Sequence, residues 1–306
     1  MWKLNNLESK IKKLEFKFYK NLWADLLWLY KTAFRWQWME FRELREYVFW
    51  DSIKHIDWKT TAKTWKMQTR IYDEERDLNV LFIIDNSSFM QKWFLNKTKK
   101  DLAEEVFYAL ALSAISNNDN IWALFYDEEE VLDFINFKKW IWNLYRIIEK
   151  WDEYENKNSF WEAGYTFKAL KKIFDLRIKR TLIFILTTDT NFDNKNILKL
   201  VGGDNEIIII NLFDSIENDL SILWKILNSD NKNIINEFWI DLLVWDKKDF
   251  LSINLWDKVS LEKYKKNREQ KLEKLKNFLL KNKISYLKIE NLDNSNEKLL
   301  EFFKKR

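Results

Sequence analysis

The sequence predicts a doubly wound α/β protein built on a mostly parallel sheet, with an N-terminal helical and extended appendage. Three observations carry the prediction. Short, continuous apolar runs, such as residues 80–84 and 207–210, have the composition of strands buried on both faces. Stretches with apolar residues at three- and four-residue spacing separate them, an alternation that places helices on both sides of a parallel sheet. Two of the apolar runs lead into an aspartate, Asp85 and Asp189, and such sheets bind ligands at the carboxyl ends of their strands.

Residues 1–33 read as one amphipathic helix, with Leu4, Leu7, Ile11, Leu14, Phe18, Leu22 and Leu26 recurring between lysines. Packing on its own domain is the expected role of that helix, although a basic helix carrying aromatics is also compatible with peripheral membrane association. Residues 34–77 lack long apolar runs and read as extended segments and turns. From there the pattern changes to a strand at 80–84, a helix at 102–115, a strand at 121–126 and an edge strand at 131–134. Helices at 139–150 and 165–175 precede a strand at 181–186, a short helix at 194–200 and a strand at 206–212. A helix at 216–228 follows. Alternating stretches at 238–245 and 249–255 flank Asp246-Lys247-Lys248 and predict a hairpin. A lysine-rich helix at 259–281, a strand at 284–289 and a helix at 294–306 close the chain. The organisation expected is an appendage over 1–77 and a main domain over 78–306, with the hairpin as an insertion near 238–255.

The 306 residues are 47% hydrophobic and 33% charged, the balance of a globular protein with a real core. Cysteine is absent, which excludes disulfides and thiolate chemistry and accords with a reducing compartment. The net charge of +4 comes from interspersed basic and acidic residues rather than from a gathered basic face, so no nucleic-acid surface is expected. The lysines Lys10, Lys12, Lys13, Lys17 and Lys20 read instead as the solvated face of the first helix. No apolar run approaches the roughly 18 residues that span a bilayer, and the first residues lack the apolar core of a signal peptide. The expectation is a cytoplasmic protein without a transmembrane segment.

Glycine and tryptophan are out of proportion. The chain holds 3 Gly, 18 Trp and no Pro; glycine and tryptophan together match the glycine content of an average chain of this length, about 7%. Several tryptophans stand where turns are expected: Trp36, Trp38, Trp50 and Trp65. Turns favour glycine, which takes positive φ at no steric cost. The reading is that many of these positions are UGA codons translated as glycine in the source and written here as tryptophan.

Asp85-Asn86-Ser87-Ser88-Phe89-Met90 resembles the D-x-S-x-S signature of the metal-ion-dependent adhesion site in von Willebrand factor A domains. The resemblance implies that a threonine on a second loop and an aspartate on a third complete the site, and Thr166 and Asp189 stand in that order. Magnesium, a hard cation, takes such oxygen ligands. The second serine of the signature falls on Phe89, which leaves the site degraded. The alternative is that Asp85 and Ser87 only satisfy loop amides.

A longer resemblance joins this one. Phe34-Arg35-Trp36-Gln37-Trp38-Met39-Glu40-Phe41 is similar to the F-x-G-x-G-x-E-F pattern of domain-of-unknown-function family 58, with both tryptophans standing for glycine. Trp50-Asp51 and Ala62-Lys63-Thr64-Trp65 fall on that family's Gly-Asp and A-R-T-G, whereas Trp58 falls on a family tryptophan. The resemblance implies a von Willebrand factor A-like fold, no enzymatic activity, and a protein partner, a MoxR-type AAA+ ATPase that the protein assists in assembling or activating a client. Arg45, Glu46, Tyr47, Asp51, Asp57 and Trp58 are the partner-binding candidates, with a buried ion network as their alternative. The competing class is a metal-dependent phosphohydrolase using strand-end aspartates. Haloacid-dehalogenase enzymes need a second aspartate two residues after the first, and Ser87 occupies that place. The single histidine, His55, has no paired nucleophile and reads as structural.

Overall fold

The computed structural model describes residues 23–35, 40–73, 78–91, 98–127, 130–138, 141–154, 166–188, 195–213, 240–243, 250–253, 258–290 and 294–306. In chain order these form α1 (Trp23–Arg35), β1 (Glu40–Glu46), α2 (Trp58–Thr64), β2 (Gln68–Asp73) and β3 (Asn79–Asp85). Then come α3 (Lys99–Ser116), β4 (Asn120–Tyr126), β5 (Val131–Lys138), α4 (Ile141–Glu153), α5 (Thr166–Asp175) and β6 (Thr181–Thr187). The remainder is α6 (Lys195–Asp204), β7 (Glu206–Phe213), β8 (Ile240–Leu243), β9 (Phe250–Ile253), α7 (Lys258–Lys281), β10 (Ser285–Glu290) and α8 (Ser295–Lys304).

Six strands make one sheet in the order β10-β7-β6-β3-β4-β5. Five run parallel, and β5 lies antiparallel to β4 on the edge. The apolar runs become central strands because both faces are covered. Val80, Phe82 and Ile84 of β3 join one core with residues of α1, α3, α4 and α8. Leu81 and Ile83 join the opposite core with α5, α6 and α7. Burying every side chain of such a strand contributes about 1.5–3 kcal/mol per large apolar residue, which is why these runs need no polar alternation.

The chain leaves β3 for α3 on one face and leaves β6 for α6 on the other. β3 and β6 are neighbours, so their carboxyl ends form a topological switch point, the place where open α/β sheets take ligands.

Only the last part of the amphipathic helix expected over 1–33 falls among the described residues. α1 begins at Trp23; Leu4 to Leu22 of the expected amphipathic stretch lie outside the described residues, as does the expected helix at 216–228. α1 packs through Leu26, Tyr30 and Phe34. The Tyr30 hydroxyl donates to Asp119 (3.1 Å), whose other oxygen accepts the Leu78 N–H (3.0 Å), tying the helix to the entry of β3. The 40–73 stretch is a β1–β2 hairpin enclosing α2, more regular than the turns expected there. β8 and β9 pair as the expected hairpin, and the Asp246-Lys247-Lys248 turn lies outside the described residues.

Candidate functional site

Alternation along neighbouring parallel strands delivers one polar row to the switch point. Asp85 stands in register with Tyr126 of β4, one residue beyond the paired Ile84 and Leu186, and Thr187 of β6 is paired with Asn211 of β7. Because side chains alternate with period two, Asp85, Tyr126, Thr187 and Asn211 emerge on the face that carries α5, α6 and α7. All four are buried. The two rows beneath, Ile83-Leu124-Ile185-Ile209 and Leu81-Trp122-Ile183-Ile207, are apolar, so this is the first polar layer at the carboxyl rim.

Asp85, Tyr126 and Thr187 of this layer are joined with Thr166, Ser87 and Thr188 in one hydrogen-bonded network. Asp85 Oδ1 accepts the Ser87 N–H (2.9 Å). Asp85 Oδ2 accepts the Thr187 hydroxyl (3.3 Å), the Thr188 N–H (3.4 Å) and the Thr188 hydroxyl (3.3 Å). The Tyr126 hydroxyl donates to Thr187 Oγ1 (3.0 Å) and shares a hydrogen bond with Thr166 Oγ1 at 2.9 Å. Thr166 is the first residue of α5, and its hydroxyl lies 3.4 Å from that of Thr187. The described partners of Asp85 are all neutral. Burial therefore raises its pKa above the ordinary carboxylate range, against the opposing contacts from Ser87 and Thr188.

Of the four residues the sequence singles out as metal ligands, the structure brings Asp85, Ser87 and Thr166 to this rim. Asp189 lies outside the described residues; its neighbour Thr188 is in the network. Ser87 is fully buried, and its hydroxyl oxygen has no partner in hydrogen-bonding geometry. Phe89 lies within the 3₁₀ turn Ser88–Gln91. Sequence reasoning missed Tyr126, Thr187 and Thr188. The signal available was positional: each is among the first polar residues after an apolar strand. No group of three or more His, Cys, Asp or Glu placed to hold a metal occurs among the described residues, so a cation here would rest on hydroxyls as much as on carboxylate.

The six partner-binding candidates all lie within 40–73, and the charged ones are paired within that module. Arg45 pairs with Asp51 at 2.5 Å, and Asp51 also accepts the Val48 N–H (2.9 Å). Glu46 pairs with Lys66 at 2.8 Å. Asp57 caps α2 by accepting the N–H groups of Lys59 (3.0 Å) and Thr60 (3.1 Å), and Arg70 holds it through Nε (3.0 Å) and a terminal nitrogen (2.9 Å). The Thr60 amide, then Arg70, keep the Asp57 carboxyl below its usual range. The Tyr47 hydroxyl reaches the Phe49 carbonyl at 3.4 Å. Beside these charges the module also exposes large apolar side chains, Phe49, Trp50, Trp58 and Trp65. The ion-network reading of these charges thus describes their geometry, though the pairs lie near the surface rather than in the core.

Fold and rim together define a doubly wound α/β domain with a buried, oxygen-rich site at its switch point. A family model described as protein of unknown function DUF58 matches residues 43–235, taking in both the hairpin module and most of the sheet, and the chain belongs to that family. No curated protein and no solved structure matches it. No helix among the described residues is long and apolar enough to cross a membrane.

Proposed function

We propose that the chain is a non-enzymatic interaction module of the von Willebrand factor A type, which assists a MoxR-type AAA+ ATPase in the cytoplasm through a degenerate magnesium-dependent adhesion site. One observation carries this reading: a fully buried carboxylate, Asp85, surrounded by neutral donors from two loops. A buried charge without a counter-ion is costly, and a bound cation removes that cost. The residues fit such an ion. Asp85 supplies charge, while Ser87 and Thr166 supply hydroxyl oxygens, the hard ligands magnesium prefers. The Ser87 hydroxyl, which lies beside Asp85 but outside good hydrogen-bonding geometry, would become a ligand in the process. When bound, the ion would offer an open position to a carboxylate of the partner protein. Asp189 is assigned to the site on the resemblance alone.

Isothermal titration of the chelator-stripped protein with magnesium or manganese tests the ion. Pull-down of a MoxR-type ATPase, with and without magnesium, tests the partner. Retention of the ATPase only with the ion is expected; no retention in either condition overturns the reading.

We also propose that some tryptophans of the written sequence are glycines in the natural protein. Trp65 ends α2 in the left-handed conformation (φ 58°, ψ 11°) and is 92% exposed. That is the place where helices most often end in glycine. Trp50 is 87% exposed, but its φ is not positive, so backbone geometry supports the substitution at Trp65 and not at Trp50. The codon decides each position: UGG at residue 65 would end the proposal there.

A further inference from the structure

Phe89 removes from the loop after β3 a hydroxyl that the metal reading needs, and the structure shows where a replacement stands. We propose that Thr188 is a ligand of the ion, supplying from the loop after β6 the oxygen that Phe89 withholds. The inference rests on the metal reading above and goes beyond it by naming a residue outside the recognised signature.

Three observations point to Thr188. Its side chain is fully buried, so its hydroxyl is held at the rim and not in solvent. Its Oγ1 lies 3.3 Å from Asp85 Oδ2, close enough for both oxygens to meet one cation. Its hydrogen bond is also dispensable. Asp85 Oδ2 already receives the Thr187 hydroxyl and the Thr188 N–H, and at 3.3 Å the contact is long for a hydroxyl on a carboxylate, where about 2.5–2.7 Å is usual. Turning the Thr188 O–H away exposes its lone pairs to an ion and leaves the carboxylate two of its three donors on that oxygen. Thr187 cannot be recruited so cheaply. Its hydroxyl accepts from Tyr126, contacts Thr166 and donates to Asp85, so releasing it would open the network that holds Thr166.

Manganese, read by the electron paramagnetic resonance of the free ion, is the probe, with the full chain stripped by chelator beforehand. T188V, which keeps the shape and loses the hydroxyl, is expected to weaken binding at least tenfold, and T188S to stay within about threefold of the parent (a tenfold change being about 1.4 kcal/mol). Restoring the missing serine separates a ligand from a structural prop: F89S in the T188V background is expected to recover most of the affinity. F89S alone, which needs no disruption of Thr188, is expected to change binding by less than threefold, because the position is already filled. Parent-like binding by T188V, or a tenfold gain from F89S alone, overturns the inference. If D85N abolishes binding while T188V does not, the metal reading stands without Thr188; if the parent chain binds no manganese, both fall.

Discussion

At the carboxyl rim of the sheet, Asp85 lies fully buried among neutral donors. In the 40–73 module, by contrast, Asp51, Asp57 and Glu46 each face a cation of the same module. The two regions hold negative charge in opposite ways. Near the surface, a paired charge costs little and its geometry fixes a turn or a helix end. In the core, a lone carboxylate opposes folding and persists only where something else requires it. The contrast sets an unpaired buried charge at the rim against paired charges in the hairpin, and the proposed ion site is placed on the unpaired one.

The largest effect expected to test this contrast is that of D85N. It should abolish manganese binding, a loss of at least a hundredfold, or about 2.7 kcal/mol, while raising the melting temperature of the metal-free protein. Each unit by which the folded pKa exceeds the unfolded one costs the folded state about 1.4 kcal/mol at neutral pH. The sign with pH follows from the raised value: the folded form binds the proton more tightly. The penalty that Asp85 places on metal-free stability is therefore absent in acid and grows as pH rises from about 4 through the raised pKa, and D85N removes that slope. Asp57 should behave in reverse. Its pKa is lowered by the Thr60 amide and Arg70, so its contribution is present above about 4 and fades as pH falls through the folded value. D57N should lower the melting temperature. Thermal melts of both variants from pH 3 to 8 check the pair, and slopes of the same sign would erase the distinction.

Y126F comes next. The phenol bridges Thr166 on α5 to Thr187 on β6, so its loss removes a hydrogen bond from each; Thr166 keeps its 3.4 Å contact with Thr187, and Thr187 keeps its bond to Asp85. A destabilisation of about 1–2 kcal/mol is expected, measured by urea unfolding, with weaker ion binding as Thr166 loses its tether. An unchanged midpoint together with parent-like manganese affinity would remove Tyr126 from the site.

Much of this is legible in the sequence. Asp85 announces itself because five apolar residues precede it and a strand buried on both faces must end at a rim. The central strands were legible for the same reason, since a run such as 206–213 admits no amphipathic alternative. Thr166 was legible only through its resemblance to a family motif, because a threonine beginning a helix has a local explanation of its own as a terminal residue. Tyr126, Thr187 and Thr188 escaped notice. What makes them a site is lateral register across β4, β3 and β6, pairings between residues 41 to 103 apart in sequence. For the charges of 40–73 the sequence leaves a docking surface and an ion network open: Asp57 and Arg70 meet across the hairpin, thirteen residues apart, and only the fold shows that pairing.

A smaller effect is expected at Trp65, which belongs to the hairpin module but not to its ion pairs. A left-handed backbone costs a residue with a side chain about 1–2 kcal/mol, and an indole 92% exposed returns little by burial. W65G is therefore expected to stabilise the protein by about 1 kcal/mol, seen as a higher denaturation midpoint. W50G, where φ is not positive, should stabilise less. Equal gains at the two positions would show that removing exposed indole, and not backbone geometry, is responsible.

The smallest effect falls on the Arg45–Asp51 pair. Arg45 is nearly half exposed, so the charge interaction by itself should contribute about 0–1 kcal/mol and weaken with salt. Asp51 has a second task that Arg45 lacks, because its other carboxylate oxygen accepts the Val48 N–H and closes the turn that presents Phe49 and Trp50. R45A and D51A should consequently differ. R45A is expected to shift the denaturation midpoint by no more than that fraction of a kcal/mol, and by nothing in half-molar salt. D51A is expected to cost more and to retain its effect in salt, because a turn hydrogen bond is screened far less than a surface ion pair. Were R45A the more damaging of the two, Arg45 would have to hold more than Asp51, and the hairpin's charges would again be candidates for something beyond stapling a turn.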